Sequence, residues 1–269
     1  MRCEALRAAR PKALCGPLRV ARCAARGGAR CEAASGPMTR VWLLDLDNTL
    51  HDALSVVFPR INAAMTEYLA RELELELEAA NALRMQYWRR YGATLLGMIR
   101  HHGTDPHHFL RETHPFPDLR TIVRRDARLV QALRRLPGRR IVVTNAPLHY
   151  ASQVVRALGI HSQIESIVSI EAMSFAGRLQ PKPSRPMLRR LVASLRVPAS
   201  RCVLVEDSVV NLAGARHVGL RTVLVTGISH RSHHPSRRAR AGSSRRIDVQ
   251  VQSVAHLPRK ALRSATTTR

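Results

Sequence analysis

At 269 residues, 45% of them hydrophobic and 4% aromatic, the chain is long enough to bury one large core or two smaller ones. No apolar run approaches the ~18 residues needed to cross a bilayer, so the chain reads as soluble, with no membrane partner. The formal charge of +25 points toward an acidic partner, but residues 1–37 hold eight Lys/Arg against two Glu and residues 228–269 hold ten against one Asp. More than half of the excess therefore lies at the two ends, which argues against nucleic acid as the purpose of the fold.

Residues 1–37 are rich in Ala, Arg, Cys and Gly and show no sustained periodicity. Their Arg-rich, acid-poor composition is like that of a transit peptide, and they lack the apolar core of a secretory signal. Met38 opens Met-Thr-Arg-Val-Trp-Leu-Leu-Asp, a natural start just ahead of a strand. The segment is thus expected to be an over-extended start or a disordered leader. Four of the five cysteines (Cys3, Cys15, Cys23, Cys31) fall in it, at spacings that match no zinc pattern. The fifth, Cys202, opens an apolar strand and reads as a reduced core thiol. That usage implies a reducing compartment, and the expected location is the cytoplasm.

The run Val41-Trp-Leu-Leu44 has the look of a buried strand and ends in Asp45-Leu-Asp47-Asn-Thr49. Residues 53–118 then read as nearly all helical. Leu54, Val57, Phe58, Ile61, Met65, Tyr68 and Leu69 recur at helical spacing. The alternating stretch 71–78 favours a helix end and turn, because Ala, Leu and Glu favour helix. A helix over Ala79–Tyr91 follows, then a short one ending at Gly103, a turn over His107–Glu112 and a break at Pro115-Phe-Pro117.

From Asp118 helix and strand alternate. Helices are expected over Arg124–Arg135, Tyr150–Leu158, Pro186–Leu195 and Val209–Val218. Strands are expected over Arg140–Thr144, Ile164–Ser169, Cys202–Val205 and Arg221–Val225. Residues 230–246 read as a disordered basic loop, and a last alternating strand spans Ile247–Val254. That succession predicts an α/β fold, a doubly wound parallel sheet. In such sheets ligands bind at the carboxyl ends of the strands.

Four pieces sit at expected strand exits: Asp45 and Asp47, Thr144-Asn145, Lys182 between two prolines, and Glu206-Asp207 with Asn211 four residues on. Each alone has a plain reading, as a turn, a helix cap or a solvated loop residue. Together, in order, they supply carboxylates, a hydroxyl and a lysine. Carboxylates held close and dry need a counter-ion, and Mg²⁺ suits oxygen ligands plus a substrate phosphate. The set fits phosphoryl transfer.

Asp45-Leu-Asp47-Asn-Thr49-Leu50 resembles the first motif of the haloacid dehalogenase superfamily of phosphatases. Thr144, Lys182 and Glu206-Asp207 resemble its second to fourth motifs, in the right order, and the helical insert resembles its small cap. The resemblance runs from about Met38 to Val225 and on to the strand near Val254. Within the superfamily the chain is most similar to the pyrimidine 5′-nucleotidase branch. The stretches that carry this are Asp47-Asn-Thr-Leu-His-Asp52, Tyr87–Leu95, His101–Phe109, Thr144-Asn-Ala-Pro147 and Val205-Glu-Asp-Ser208 with Asn211.

The resemblance implies a Rossmann-like core of residues 38–52 and 119–269 with a helical cap of residues 53–118 inserted after the first strand. It implies that Asp45 attacks phosphorus to form an aspartyl-phosphate and that Asp47 first gives and later takes a proton. Mg²⁺ would be bound by Asp45, the carbonyl of Asp47 and Asp207, with Glu206 and Asn211 supporting them from behind. Thr144 and the amide of Asn145 would bind phosphate oxygens, and Lys182 would neutralise charge. Asp47 speaks against dehalogenation, where no leaving oxygen needs a proton. The expected substrate is a small phosphate ester, a pyrimidine nucleoside 5′-monophosphate. The alternatives are a phosphorylated sugar or acid such as phosphoglycolate, or a basic nucleic-acid-binding protein with a vestigial site. In the cap, Arg89, Arg90, His101, His102, His107, His108 and Arg111 are candidates for base or ribose recognition, and Trp88 and Tyr91 for stacking.

Overall fold

A computed structural model describes residues 21–22, 40–228 and 247–257. Apart from Ala21–Arg22, the expectations for 1–37 and 230–246 concern residues outside that set. In chain order the strands are β1 (Ala21–Arg22), β2 (Val41–Leu44), β3 (Arg139–Val143), β4 (Ser166–Val168), β5 (Ser174–Phe175), β6 (Arg178–Leu179), β7 (Cys202–Glu206), β8 (Arg221–Val225) and β9 (Val249–Val251). The main sheet has the order β1-β4-β3-β2-β7-β8-β9. Its six strands from β4 to β9 run parallel, and the short β1 lies antiparallel on β4. β5 and β6 form a separate hairpin.

β2 is the central strand because all four of its residues are apolar and none has to face water. Side chains alternate across a strand. Trp42 and Leu44 join one cluster with Leu129 and Leu133 of α6 (Ala127–Arg135) and Tyr150 and Val154 of α7 (Leu148–Ala157). Val41 and Leu43 join the opposite cluster with Leu188 and Leu191 of α8 (Arg185–Leu195) and Leu212 of α9 (Val209–Arg216). Helices thus cover both faces, and the fold is the doubly wound α/β architecture that the alternation of elements predicts. α5 (Leu119–Ile122) leads into it.

Between β2 and β3 lies an all-helical insert: α1 (Val57–Leu73), α2 (Leu77–Tyr91), α3 (Thr94–His102) and α4 (Pro106–Thr113). It has its own apolar cluster, built on Tyr68, Leu69, Tyr87, Met98 and Phe109, which also takes in Ile170 from the core segment. The expected turn at 107–112 is a correction: the chain there is helix. Asp105 caps it, accepting from the backbone N–H of His107 at 3.2 Å and of His108 at 3.1 Å, and Pro106 occupies the first turn. The helix expected from Arg124 starts at Ala127 because Asp126 caps it in the same way.

Gly138 makes the turn into β3. It has φ +102°, and a Cβ there would stand 2.2 Å from the carbonyl oxygen of Arg40. That oxygen accepts the Arg139 N–H that opens the β2–β3 ladder. Gly138→Ala is therefore expected to destabilise the protein by about 1–3 kcal/mol in urea unfolding. A loss below about 0.5 kcal/mol would show that the turn is not pinned to the ladder.

Candidate active site

The ladder sets the site. Leu44 lies opposite Val142 on one side and Val205 on the other, and the next amide, Asp45 N–H, donates to the carbonyl of Val205 at 2.9 Å. Asp45 thereby leaves β2 level with Glu206, the last residue of β7. The hairpin β5–β6 reverses through Ala176 (φ +50°) and Gly177 (φ +73°), a left-handed pair suited to a tight turn. Three residues beyond β6 comes Lys182.

The Lys182 ammonium is buried. It donates to Asp45 Oδ1 at 2.5 Å and to Glu206 Oε2 at 2.8 Å. The Thr49 hydroxyl donates to the other Asp45 oxygen, Oδ2, at 3.2 Å. Asp45, Glu206 and Asp207 each offer an oxygen, and these oxygens lie within 4.8 Å of one another.

One ammonium does not neutralise three crowded carboxylates. Burial by itself would lower the pKa of Lys182, but Asp45 and Glu206 outweigh it and hold the lysine above its ordinary value. Burial and Glu206 push Asp45 up to about 7 against the pull of Lys182. Burial and Asp45 push Asp207 up to about 6, and Glu206 is raised chiefly by burial. The pair thus moves both ways: the lysine gains from its partners, while the carboxylates remain short of positive charge. A hard divalent cation with oxygen ligands fits that donor set.

Asp47 belongs to a second group. Its Oδ1 accepts from the Tyr150 hydroxyl at 2.7 Å and lies 2.9 Å from His51 Nε2. Burial and the neighbouring Asp47 push the Tyr150 phenol far above its ordinary value, so it keeps its proton as a donor. The Tyr150 ring packs against Phe116 and His114, with centroids 5.4 and 5.8 Å away.

The structure brings Asp45, Lys182, Glu206 and Asp207 together. Thr144 leaves β3 buried, its hydroxyl accepting from Ala146 N–H at 3.1 Å and keeping its own proton to donate. The Asn145 side chain has a part that motif spacing did not suggest. It accepts from Lys182 N–H at 2.9 Å and donates to the Lys182 carbonyl at 3.1 Å, clamping the lysine's backbone. Asn211 stands in the first turn of α9, where its N–H donates to Ser208 Oγ at 3.5 Å.

Of the candidate recognition residues, only His107 and Arg111 line the cleft between α4 and α7. They do so with His114, Phe116, His149 and Gln153, around about 630 Å³. His101 and His102 pair with the hydroxyls of Tyr91 and Tyr87, and His108 pairs with that of Tyr68. Arg90 stacks over Tyr91, Arg89 is exposed, and Trp88 is half-exposed. Tyr91 lines a neighbouring cavity with Ile99, Arg100 and Leu179.

The profile of the haloacid dehalogenase-like hydrolases matches residues 39–219, two thirds of the chain and all of the strand exits just described. The chain belongs to that family. Solved structures share the fold of this hydrolase. CbbY from Rhodobacter sphaeroides, solved with phosphate, is 22% identical and matches with TM-score 0.54 over 82% of this chain and 96% of its own. A conserved haloacid dehalogenase-like protein of unknown function from Agrobacterium tumefaciens is 23% identical, with TM-score 0.50 over 84% and 99%. L-2-haloacid dehalogenase from Xanthobacter autotrophicus is 16% identical, with TM-score 0.50 over 84% and 99%. Among the described residues of the hydrolase no helix is long and apolar enough to cross a membrane.

Motif reading missed His51, Tyr150 and His114 as parts of the site. His51 was visible four residues after Asp47, but Tyr150 lies 103 residues away and only the fold brings it in. His114 is buried, and burial lowers it to about 4 against the opposing pull of Asp47. Its folded value lies below the ordinary 6.5, so the unfolded chain takes up the proton first. The stability it contributes is full above about pH 6.5 and drains as pH falls toward about 4. The drain is up to about 3 kcal/mol. Urea unfolding of wild type and His114→Gln across pH 4–7 is expected to show a shallower acid-side fall in the variant, and parallel curves would contradict the buried neutral imidazole.

Proposed function

We propose that this hydrolase is a Mg²⁺-dependent phosphomonoesterase that works through an aspartyl-phosphate on Asp45. The observation that carries the reading is the second carboxylate, Asp47, kept apart from the lysine-bound cluster and held by Tyr150 and His51. Cleaving a phosphate ester needs a proton for the leaving oxygen, and expelling a halide does not. The phosphate-bound state of CbbY supports the same choice.

In this reading an Asp45 oxygen attacks phosphorus while Asp47 gives its proton to the departing oxygen. A water then attacks the aspartyl-phosphate and passes a proton back to Asp47, releasing phosphate. Lys182 stays charged and offsets the negative charge gathered between Asp45 and the phosphoryl oxygens. Asn145 fixes where that lysine stands. The Thr144 hydroxyl and the Asn145 backbone N–H bind phosphoryl oxygens. Asp45, the Asp47 carbonyl and Asp207 would hold Mg²⁺, with Glu206 holding Lys182 beside them. When bound, the ion supplies positive charge to the phosphoryl oxygens.

The substrate assigned is a pyrimidine nucleoside 5′-monophosphate, on the likeness of the segments around Asp47, Thr144 and Glu206 to that branch of the family. A cleft lined by His114, Phe116 and His149, which flank Tyr150, but by none of Asp45, Asp47, Thr144 and Lys182, is assigned to the leaving group. It has about 630 Å³ between α4 and α7, with Arg111, His107 and Gln153 for polar groups and Phe116 for an apolar face. The parts of the chain assigned to this work are the core of residues 38–52 and 119–269 and the cap of 53–118.

Three outcomes test the proposal. Uridine and cytidine monophosphate are expected to be hydrolysed with Mg²⁺ in a panel of phosphate esters, and activity confined to sugar phosphates or phosphoglycolate would overturn the nucleotide assignment. Asp45→Asn is expected to lower turnover at least about 10³-fold with the circular dichroism spectrum unchanged, and retained turnover would refute the nucleophile. The third concerns pH. Asp45 and Asp207 sit above their ordinary values, so the stability they contribute without a cation is present below about pH 4 and lost as pH rises through about 6 and about 7. Mg²⁺ is expected to raise the thermal midpoint more at pH 8 than at pH 5, and an equal or larger rise at pH 5 would contradict the site.

A further inference from the structure

We propose that Tyr150 and His51 are positioning residues that aim the Asp47 carboxyl at the leaving oxygen of the substrate; this rests on the reading of Asp47 as proton donor.

The geometry is one-sided. Tyr150 donates to Asp47 Oδ1 at 2.7 Å, His51 Nε2 lies 2.9 Å from the same oxygen, and the Tyr150 oxygen and His51 Nε2 are 3.4 Å apart. Two groups and one carboxyl oxygen close a triangle. The other, Oδ2, has no hydrogen-bond partner among the described residues, and the Asp47 side chain is 15% exposed while that of His51 is 5% exposed. Two contacts on Oδ1 fix the side chain's torsions and leave Oδ2 as the oxygen that faces substrate.

Each aiming group is itself held from a different part of the fold. His51 is delivered by the loop that leaves β2. In that loop Asn48 adopts φ +60°, its Oδ1 accepts from Ala53 N–H at 3.2 Å, and Leu50 N–H donates to the Leu46 carbonyl at 2.9 Å. A short bridge pairs Asp47 with His51. Tyr150 lies in the first turn of α7, six residues after Thr144, and is 1% exposed. Its ring is wedged against His114 and Phe116, the residues by which the chain leaves the helical insert. The Asp47 carboxyl is therefore referenced at once to its own loop, to the helix that follows the phosphate-binding residues and to the exit of the insert. A group placed within a fraction of an ångström of a reacting oxygen needs that kind of support.

The step served is balanced. The Asp45 oxygen–phosphorus bond forms, the phosphorus–oxygen bond to the leaving group breaks, and the proton on Asp47 Oδ2 moves to that leaving oxygen. In the second half a water oxygen bonds to phosphorus, the Asp45 linkage breaks and the water's proton returns to Asp47.

The test compares leaving groups. Phenyl phosphate needs a proton on its departing oxygen, and 2,4-dinitrophenyl phosphate does not. The value of kcat/KM stops at the first irreversible step and so reports phosphorylation of Asp45 alone. Tyr150→Phe removes one hydroxyl and keeps the ring. It is expected to lower kcat/KM for phenyl phosphate about tenfold or more through kcat, with KM within about threefold, and to leave kcat/KM for the dinitrophenyl ester within about threefold. His51→Leu is expected to show the same split, and His51→Gln, which keeps a hydrogen-bonding group, to recover part of the loss. The histidine pair decides the matter should Tyr150→Phe fail to fold. Equal losses on both esters, or none on either, would overturn the positioning role while leaving the phosphatase reading in place. A wild-type protein that hydrolyses neither of these nor any ester of the panel would overturn the phosphatase reading, and this inference with it.

Discussion

Three carboxylates and one ammonium share a dry pocket at the carboxyl ends of β2 and β7, and the rest of the molecule is arranged around that imbalance. Asp45 and Glu206 are each within 2.8 Å of the Lys182 nitrogen, and Asp207 adds a third negative charge close by. Buried charges of one sign repel strongly where water cannot screen them. The fold accepts this because the parallel ladder leaves no choice: β2 and β7 are paired residue for residue up to Leu44 and Val205, so their next residues emerge side by side. Raised carboxyl pKa values are the expected consequence, and so is affinity for a cation. In the proposed reaction Asp45 is the nucleophile, and positive charge from a cation offsets the crowding around it.

Much of this was legible in the chain itself. Val-Trp-Leu-Leu ahead of Asp45 and Cys-Val-Leu-Val ahead of Glu206 read as strands because a strand buried on both faces is continuously apolar. Helix stops at Pro137-Gly138 and Gly219 were equally plain. What failed to show was of two kinds. Short elements escaped because their signals are capping residues rather than periodicity: Asp105-Pro106 starts α4, and the hairpin β5–β6 has only two residues in each strand. Long-range partners escaped because no spacing announces them. Asn145 clamping Lys182 spans 37 residues and Tyr150 holding Asp47 spans 103. Motif order located the charged groups, while the neutral groups that orient them needed the fold.

The helical insert meets the core along α1, whose Val57 and Ile61 join the cluster of Leu46, Leu50 and Tyr150, and at its exit. Its exit, His114 to Phe116, packs on Tyr150, and His149 Nε2 lies 3.2 Å from the His114 carbonyl oxygen. Ile170, from the segment after β4, enters the insert's own apolar cluster. Between these contacts lie the two neighbouring cavities that share His107, Leu110 and Glu171. The Glu171 carboxylate is tied down by the Leu148 N–H at the start of α7, at 3.0 and 3.1 Å. The α7 side of these cavities is thus tied to the segment after β4, and the side formed by α3 and α4 carries Arg100, His107 and Arg111.

Transfer of the phosphoryl group to Asp45, as proposed, leaves a covalent mark that can be read. The direct measurement is to mix the protein with Mg²⁺ and a hydrolysable ester, quench in acid within one turnover, reduce with borohydride and map the peptides by mass spectrometry. Borohydride converts an aspartyl-phosphate to homoserine. Homoserine is expected at position 45, with Asp47 and Asp207 unchanged. Phosphate release with Asp45 unmodified throughout, or homoserine at position 47 instead, would contradict it.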